Sequence, residues 1–471
     1  MKIIFANNNS YVKIGSFSLL IFLELIPLAF LGMGLFKISL EVISFFFLVF
    51  FIYWFFNYPY KLLQWFLFTI LISGIDALNI GEKPSVITLV DIFLPILLVI
   101  FLLKVLLDEN EIYRGKHAEI KILFALFFLW TFFVAVSSIN KQVSIAYWRN
   151  YFSGFMMFVF TLFILNRTNK VKSLIITLIL WGLTLALIEF YVLYSLGGVN
   201  IGLVRLFFRK NLLEVAWGKS NYLAAFFVLL IPITIGFIFM LKTTLKRLLF
   251  LGVLFLMSAA IMLTFSRGGI LSLTVALFIF LSRAVKRRTF IPLLLMVIVV
   301  AIVVILNPMT RIIFEGISTV ENSFSYMSRV NFYKDVWKTF LENPITGVGF
   351  GNLGFYSQFK LTDAAASAHN IVLGLLGENG VIGAILFLSI IGYSLFLAIK
   401  NYINEKDVKL KILLWSFVSA FGGVLVHSMM EPNLEGWQFS MVFWTSMAMF
   451  LHFGDLREEE RASIMGEVSE I

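Results

Sequence analysis

Residues 221–241 read NYLAAFFVLLIPITIGFIFML, a run of 21 residues without a charged side chain. A helix that crosses the hydrocarbon core of a bilayer needs about 20 mostly apolar residues. Such runs recur along the whole chain, whose 471 residues are 60% hydrophobic and 14% charged, with a mean hydropathy of +0.96. This composition excludes an ordinary soluble domain. The sequence therefore predicts an all-α, polytopic integral membrane protein.

The length criterion predicts about 12–14 transmembrane helices. We place candidate spans near residues 17–36, 40–56, 61–75, 87–106, 120–138, 150–166, 173–196, 221–241, 247–265, 268–283, 290–306, 380–399, 411–430 and 437–453. The chain contains no Cys, which excludes disulfide bonds and thiolate metal sites.

Lysine and arginine residues in the short loops predict the orientation. Four loops are basic and fall on one side of the predicted topology, together with both termini: they hold Arg167, Lys170 and Lys172; Lys242, Lys246 and Arg247; Arg283, Lys286, Arg287 and Arg288; and Lys400, Lys406, Lys409 and Lys411. That side is expected to be the cytoplasm. Segments 197–219 and 307–368 then face outward.

We expect four regions along the chain. Residues 1–196 hold N-terminal transmembrane helices, and residues 197–306 hold central helices with a basic outward loop. Residues 307–379 form a long periplasmic loop with short amphipathic helices, and residues 380–471 hold the last helices and a short cytoplasmic tail. A loop as long as 307–368 is unusual unless it is functional.

A polar segment, residues 329–383, interrupts this apolar chain and is the candidate functional region. Its residues 349–354 match G-x-G-x-x-G. A dinucleotide fingerprint also requires a preceding parallel strand and a βαβ unit, which a membrane-protein loop does not offer. We interpret these glycines instead as permitting tight turns, or a close approach to a lipid headgroup.

Cationic side chains are frequent in the predicted outward segments. Those that we expect to guide an anionic substrate are Arg205, Arg209, Lys210, Lys219 and Arg311. The alternative is that long loops escape the positive-inside bias. Arg267 lies between two apolar runs, where a guanidinium usually has a partner or an anionic ligand. Its planar fork suits phosphate or diphosphate.

His369 follows an Ala-rich stretch and precedes the apolar run that starts at Ile371, a pattern typical of a helix N-terminus at the membrane interface. The positive end of a helix disfavours a further positive charge, so we expect a neutral imidazole that can accept a proton. The alternative is a surface histidine in a loop. The sequence has no D-x-D or H-x-x-x-H motif and no outward carboxylate cluster, so we expect neither a metal nor a cofactor.

Several motifs together resemble the C-terminal region of the O-antigen ligase and polymerase superfamily. They are Ser266-Arg267-Gly268; Arg329 followed by Trp337 and Asn343-Pro344-Ile345-Thr346-Gly347-Val348-Gly349; Ala368-His369-Asn370; and Gly377-Glu378-Asn379-Gly380-Val381-Ile382-Gly383. Trp217-Gly218-Lys219-Ser220-Asn221 is also similar to the family. The similarity covers roughly residues 215–385 and does not separate ligases from polymerases.

The resemblance implies metal-independent glycosyl transfer from a polyprenyl-diphosphate-linked glycan on the outer face of the bacterial inner membrane. It implies that His369 is the base that activates the acceptor hydroxyl and that Arg267 and Arg329 contact the diphosphate. Direct displacement of diphosphate predicts inversion, with guanidinium groups stabilising the charge of the departing group. Lipid A-core is the expected acceptor in a ligase, and the growing glycan is the acceptor in a polymerase.

Three aromatic or amide side chains complete the expected site. Asn370 is a candidate for orienting a sugar or His369. Tyr333 and Trp337 are candidates for contacting sugar rings, although interfacial anchoring is common for such residues. The lipid bilayer and other envelope-polysaccharide assembly proteins are the expected partners, and nucleic acid is not.

Two other classes of function stay open from the sequence alone. A transporter or flippase of lipid-linked sugars predicts ionisable residues deep in the spans, for which Glu24, Asp91 and Glu189 are candidates. A non-catalytic scaffold in polysaccharide assembly would not require His369. The concentration of Arg, His and Gly in the outward segments favours the transferase.

Overall fold

A computed structural model of the chain describes residues 57–72, 78–80, 85–87, 95–99, 118–168, 170–196, 220–284, 330–356 and 368–456. Its helices are α1 (Pro59–Ile72), α2 (Ala118–Ser137), α3 (Lys141–Thr168), α4 (Val171–Ser195), α5 (Ser220–Met240), α6 (Thr244–Leu263), α7 (Arg267–Ala284), α8 (Leu353–Tyr356), α9 (Ile371–Asn404), α10 (Val408–Ser428) and α11 (Trp437–His452). Short 3-10 turns cover Asn433–Glu435 and Phe453–Asp455. Residues 95–99 are also helical, as are residues 330–342, which we call the loop helix.

Seven of the described helices are long and apolar enough to cross a membrane: α2, α4, α5, α6, α9, α10 and residues Lys141–Leu165 of α3. The prediction of an all-α, multi-pass membrane protein is confirmed. Helices α7 and α11 coincide with the predicted spans 268–283 and 437–453. The predicted spans 17–36, 40–56 and 290–306, and most of 87–106, lie outside the described residues. The total of 12–14 spans and the four-region division therefore stay predictions.

Some boundaries differ from those predicted. Helix α9 begins at Ile371 rather than near residue 380, because the Asn370 side chain caps it by accepting hydrogen bonds from the amides of Val372 and Leu373. Helix α3 begins at Lys141 rather than near residue 150. A short antiparallel strand pair, β1 (Leu78–Ile80) with β2 (Ser85–Ile87), was not predicted.

Helix α5 is the central element of the bundle. It is buried over most of its length, whereas α6 exposes most of its residues. Helix α10 packs against α5 and α7, α11 packs against α3, and α9 packs against α2. Small residues permit the close approach of α5 and α10, since a Cβ on Gly236 would lie 2.2 Å from Ser416 Oγ. Close packing of small residues holds helices together in lipid. Lipid tails are as apolar as the side chains, so there is no hydrophobic driving force for helix association.

An aromatic cluster joins α2, α3 and α11. The ring of Phe124 on α2 lies 4.5 Å from Phe155 on α3 and 4.9 Å from Trp444 on α11. Stacked and edge-to-face pairs at these separations add about 0.5–1.5 kcal/mol each beyond their buried area. Phe side chains, which are abundant in the sequence, therefore pack the interfaces among α2, α3 and α11.

Helix α9 is interrupted inside the bundle, at Gly380, which has φ 65° and ψ −174°. The residues after the loop helix bind to this interruption. Amide groups of Val348 and Gly349 donate to the carbonyls of Gly377 and Glu378 at 3.0 and 2.7 Å, and the Val381 amide donates to Pro344 O at 2.9 Å. Residues 343–352, which we call the glycine clasp, thus bond to three of the backbone groups at the break, and the Asn379 carbonyl accepts from Trp130 Nε1 on α2 at 3.0 Å.

Two glycines are required where the clasp meets α9. Gly380 adopts a positive φ, and a Cβ on it would lie 2.0 Å from Ile345 O. Gly347 has φ 64°, and a Cβ on it would lie 2.4 Å from the carbonyl carbon of Glu378. The glycines were interpreted as permitting tight turns or approach to a headgroup. In the structure they permit tight turns and a close approach to the backbone of α9.

Replacing Gly380 by Ala is predicted to lower the free energy of unfolding by more than about 2 kcal/mol, because the variant combines left-handed backbone strain with a backbone clash. The matched control is Gly392→Ala in the same helix, where a Cβ meets nothing within 4 Å. That control should be neutral or stabilise by about 0.5–1 kcal/mol. Thermal unfolding of both purified variants in one detergent provides the measurement. Equal melting temperatures would contradict the role of the clasp.

Candidate active site

His369 and Asn370 lie at the start of α9, in the turn that the sequence predicted as a helix N-terminus. His369 adopts φ 47°, an uncommon conformation for a residue with a side chain. Asn370 follows as the N-cap, and its Nδ2 donates to Met429 O, beyond the end of α10, at 3.2 Å. This hydrogen bond ties the first turn of α9 to the last turn of α10 and fixes the direction of the His369 side chain.

The imidazole of His369 contacts a carboxylate from another part of the chain. His369 Nδ1 lies 2.9 Å from Oε2 of Glu431, 62 residues away in sequence. The Glu431 side chain is only 6% exposed, whereas that of His369 is 36% exposed. An ionised carboxylate only accepts hydrogen bonds, so a neutral His369 beside an ionised Glu431 carries its proton on Nδ1. The Nε2 atom is then the nitrogen with a free lone pair.

The turn that carries Glu431 is itself well ordered by hydrogen bonds. The amides of Met430 and Glu431 both donate to His427 O at 2.9 Å. The side chain of Asn433 also bonds to Nδ1 of the fully buried His427. The hydrogen-bonded backbone at the end of α10 therefore positions Glu431 against His369.

Arg267 is the first residue of α7, and its side chain is exposed. Ser266 Oγ accepts a hydrogen bond from the Gly269 amide at 3.0 Å, which caps the helix just before Arg267. A Cβ on Gly268 would lie 3.6 Å from His427 Nε2. The start of α7 therefore lies beside the end of α10, at the same end of the bundle as the pair of His369 and Glu431.

The loop helix lies next to this turn. Tyr333 Oη donates to His369 O at 3.5 Å. The buried face of the helix, which includes Phe332 and Val336, packs in one apolar cluster with Val348 and Leu353 of the loop and with Ala368. The opposite face is solvent-accessible, and Trp337 is 48% exposed there. The predicted amphipathic helix is present, with Tyr333 at its contact with the histidine turn.

A buried carboxylate, Glu378, connects α9 to the glycine clasp. Its Oε1 accepts from the Gly351 amide at 2.9 Å. The clasp is also held from α3, because Ser144 Oγ donates to Phe350 O at 2.8 Å and the Phe350 ring stacks on Tyr151 at 4.6 Å. These contacts join the glycine clasp, which packs near the histidine turn, to both α9 and α3.

The structure thus brings His369, Asn370, Tyr333 and the helix that starts at Arg267 to one end of the bundle. Other predicted site residues lie outside the described residues, and their roles stay predictions: Arg329, Arg205, Arg209, Lys210, Lys219 and Arg311. Trp337 lies one helical turn after Tyr333, on the exposed face. The polar atoms of Asn370 bond within the protein, so its contact with a sugar also stays a prediction.

The sequence reasoning missed the contact of Glu431 with His369. Glu431 is not among the residues that the sequence analysis singled out, and nothing in a single sequence joins positions 62 residues apart. The available signal was an acid directly after a predicted span, at the end expected to face outward. Within the described ranges, no three His, Cys, Asp or Glu side chains form a group that could hold a metal ion.

Comparison with known proteins supports the resemblance noted in the sequence. Residues 252–388 match the family described as O-antigen ligase. The chain is also 26% identical over 122 residues to the teichuronic acid biosynthesis protein TuaE of Bacillus subtilis. That similarity spans 25% of this chain and 25% of the relative.

The family match contains the start of α7 with Arg267, the loop helix, the glycine clasp, His369 and the break in α9. The motifs that carried the resemblance therefore fall in the matched region, apart from the short segment at 217–221. Over residues 252–388, this membrane protein is therefore similar to the O-antigen ligase family.

Proposed function

We propose that this protein is an inverting glycosyltransferase that moves a glycan from a polyprenyl-diphosphate carrier to an acceptor hydroxyl. The observation that carries the proposal is the pair formed by His369 Nδ1 and Glu431 Oε2 at 2.9 Å, placed beside the start of α7. It supplies a base at the end of the bundle where α7 begins with the exposed side chain of Arg267. Proton removal and stabilisation of a diphosphate leaving group are the two requirements of this reaction.

In the proposed reaction, His369 Nε2 accepts the proton of the acceptor hydroxyl while its oxygen attacks the anomeric carbon. The new C–O bond forms as the bond from that carbon to the diphosphate oxygen breaks, and polyprenyl diphosphate leaves with the electron pair. The imidazolium that results is stabilised by Glu431, which is a positioning residue because it acts through His369. A single displacement inverts the anomeric configuration.

Arg267 is proposed to bind the departing diphosphate. Its guanidinium presents several donors in a plane that matches phosphate oxygens. The first turn of α7 adds backbone amides and the positive end of the helix dipole, which favour an anion at the same place. Arg329 is proposed as the second cation on the diphosphate, and Arg205, Arg209, Lys210, Lys219 and Arg311 as residues that guide the donor.

The loop helix is proposed to hold the sugar portion of the substrates. Tyr333 contacts the histidine turn, and Trp337 presents an exposed ring on the same helix. Aromatic rings at a membrane edge have an apolar face and suit stacking on sugars. We further propose that the site faces the periplasm from the bacterial inner membrane, with both chain termini in the cytoplasm, as the basic loops predict.

Two acceptors fit the proposed site. The match to the O-antigen ligase family favours lipid A-core as the acceptor. The alternative acceptor is the growing glycan on its lipid carrier, as in a polymerase. One structural observation supports the alternative function, transport of lipid-linked sugars. Glu189 is buried in α4, and neither of its carboxylate oxygens has a partner among the described residues.

Replacing His369 by Ala is predicted to lower kcat by about 10²–10⁴-fold with little change in donor affinity, because only the base is lost. The measurement is release of polyprenyl diphosphate by purified protein supplied with a lipid-linked oligosaccharide and an acceptor. Retention of the full rate would remove His369 from the mechanism.

Replacing Glu431 by Gln is predicted to lower kcat on the order of 10²-fold or more, although the side chains have the same shape. The Gln amide can donate to Nδ1, which leaves the proton on Nε2 and removes the base. Nitrogen NMR of labelled histidine should then report the Nε2–H tautomer at His369. The matched control, Glu342→Gln on the exposed face of the loop helix, should keep the full rate. A normal rate and an unchanged tautomer in Glu431→Gln would contradict the proposed role.

Replacing Arg267 by Ala is predicted to weaken binding of the lipid-linked donor by about 10–100-fold, the usual value of hydrogen bonds to a charged group. Arg267→Lys should restore only part of the affinity, because a point charge cannot bind two phosphate oxygens at once. Arg247→Ala, at an exposed position near the start of α6, is the control and should bind normally. Equal donor affinity in Arg267→Ala and the wild type would exclude the diphosphate contact.

Transfer is predicted to continue at an unchanged rate in EDTA, since arginine side chains are proposed to neutralise the diphosphate. The assay is the release of polyprenyl diphosphate before and after chelation, with and without added Mg²⁺. Loss of activity on chelation and its recovery with Mg²⁺ would show that a metal ion supplies this charge.

A further inference from the structure

A cavity lies between the last turn of α7 and the start of α10. It has a volume of about 280 Å³ and is lined by Arg283, Tyr402, Val408, Lys411, Ile412 and Trp415. Arg283 is in the last turn of α7, whereas Arg267 begins that helix. The 18 residues of α7 place the two ends about 27 Å apart. The cavity is therefore separate from the proposed active site.

The cavity is lined by two cationic side chains and by no acidic one. Within the described ranges, neither Arg283 nor Lys411 forms a salt bridge. Lys411 Nζ lies 3.4 Å from Glu405 O and 5.1 Å from the centre of the Tyr402 ring. These two contacts, neither of them with a carboxylate, hold the ammonium group at the cavity.

The nearby carboxylates are occupied by backbone amides. Asp407 accepts from the Leu410 amide at 2.8 Å, as the N-cap of α10. Glu405 accepts from the amides of Lys406 and Asp407 at 2.8 and 3.0 Å. The carboxylates beside the cavity thus accept hydrogen bonds from amides in the turn between α9 and α10. The charged side chains that line the cavity itself are cationic.

Aromatic side chains form the wall between the two cations. The rings of Tyr402 and Trp415 lie 4.8 Å apart, and Trp415 Nε1 donates to Ile279 O on α7 at 2.8 Å. This hydrogen bond fixes α7 and α10 to each other beside the cavity. The Tyr402 hydroxyl has no partner in the described part of the chain, so it adds a third donor at the cavity.

An exposed apolar stripe lies on α9, the helix whose Tyr402 lines the cavity. Phe396, Ile399 and Ile403 are 58%, 40% and 63% exposed, and their spacing places them on one face of the helix. Val408 at the cavity edge is 69% exposed. A cationic pocket together with an exposed apolar stripe matches a molecule with a phosphate and hydrocarbon chains.

We propose that this cavity binds the phosphodiester of an anionic glycerophospholipid, with Arg283 and Lys411 on the phosphate and an acyl chain along the α9 stripe. Basic pockets between transmembrane helices bind anionic headgroups in this manner. A free phosphate ester offers the same charge to the two cations but gains nothing from the stripe. The site is independent of glycan transfer.

The test uses purified, delipidated full-length protein in a neutral detergent. Binding of phosphatidylglycerol, phosphatidylcholine with the same acyl chains, and glycerol 1-phosphate is measured by native mass spectrometry. Wild-type protein should bind phosphatidylglycerol most tightly. The double variant Arg283→Gln, Lys411→Gln should bind it about thirty-fold more weakly, from the usual contribution of two cations near a membrane surface. Lys409→Gln, exposed on the same turn but outside the cavity lining, should bind as the wild type does.

Equal phosphatidylglycerol affinity in the wild type and the double variant would overturn the proposal. Equal affinity for phosphatidylglycerol and phosphatidylcholine would also overturn it, because the headgroup charge would then have no effect. Binding of glycerol 1-phosphate as tightly as the lipid would assign the cavity to a free phosphate ester instead. If the double variant does not fold, Arg283→Gln alone decides the question: a loss of about five-fold supports the lipid site, and unchanged affinity overturns it.

Discussion

The hydrogen bonds between the glycine clasp and the break in α9 are the constraint on which the candidate site depends. A break inside a packed helix leaves amide and carbonyl groups unpaired, and a buried backbone group without a partner is costly. Here the amides of Val348, Gly349 and Val381 form hydrogen bonds across the break. The loop that follows the loop helix is therefore anchored inside the bundle and does not lie free above it.

This anchoring has consequences for the chemistry. Val348 belongs both to the clasp and to the apolar cluster that holds the loop helix, so the break in α9 and the helix that carries Tyr333 form one packed unit. The first turn of α9 is fixed separately to the end of α10 through Asn370 and Glu431. His369 is thus contacted from two sides, by the loop helix at its carbonyl and by the turn after α10 at its imidazole. A base positioned in this way needs little reorganisation to meet an acceptor hydroxyl.

The sequence predicted the class of fold because continuous apolar runs have few other structural outcomes. It also predicted that His369 would lie at a helix start and Arg267 at the start of another helix, since polar residues next to long apolar runs mark where helices begin. It did not predict that α9 begins nine residues before its expected start near 380, because the Gly377–Gly380 region looks like a loop when its hydrogen-bond partners are unknown. The pair of His369 and Glu431 is likewise a contact between distant positions, and it follows from the packing of α9 on α10 rather than from any local pattern.

The most direct test of the central claim separates transfer from transport. The purified protein would be reconstituted in liposomes with a polyprenyl-diphosphate oligosaccharide that carries a defined anomeric configuration, with or without lipid A-core. The account predicts release of polyprenyl diphosphate and a product with the opposite anomeric configuration, joined to lipid A-core in a ligase or to a second carrier-linked glycan in a polymerase. Movement of the intact lipid-linked oligosaccharide across the bilayer, without cleavage of the bond to diphosphate, would contradict it.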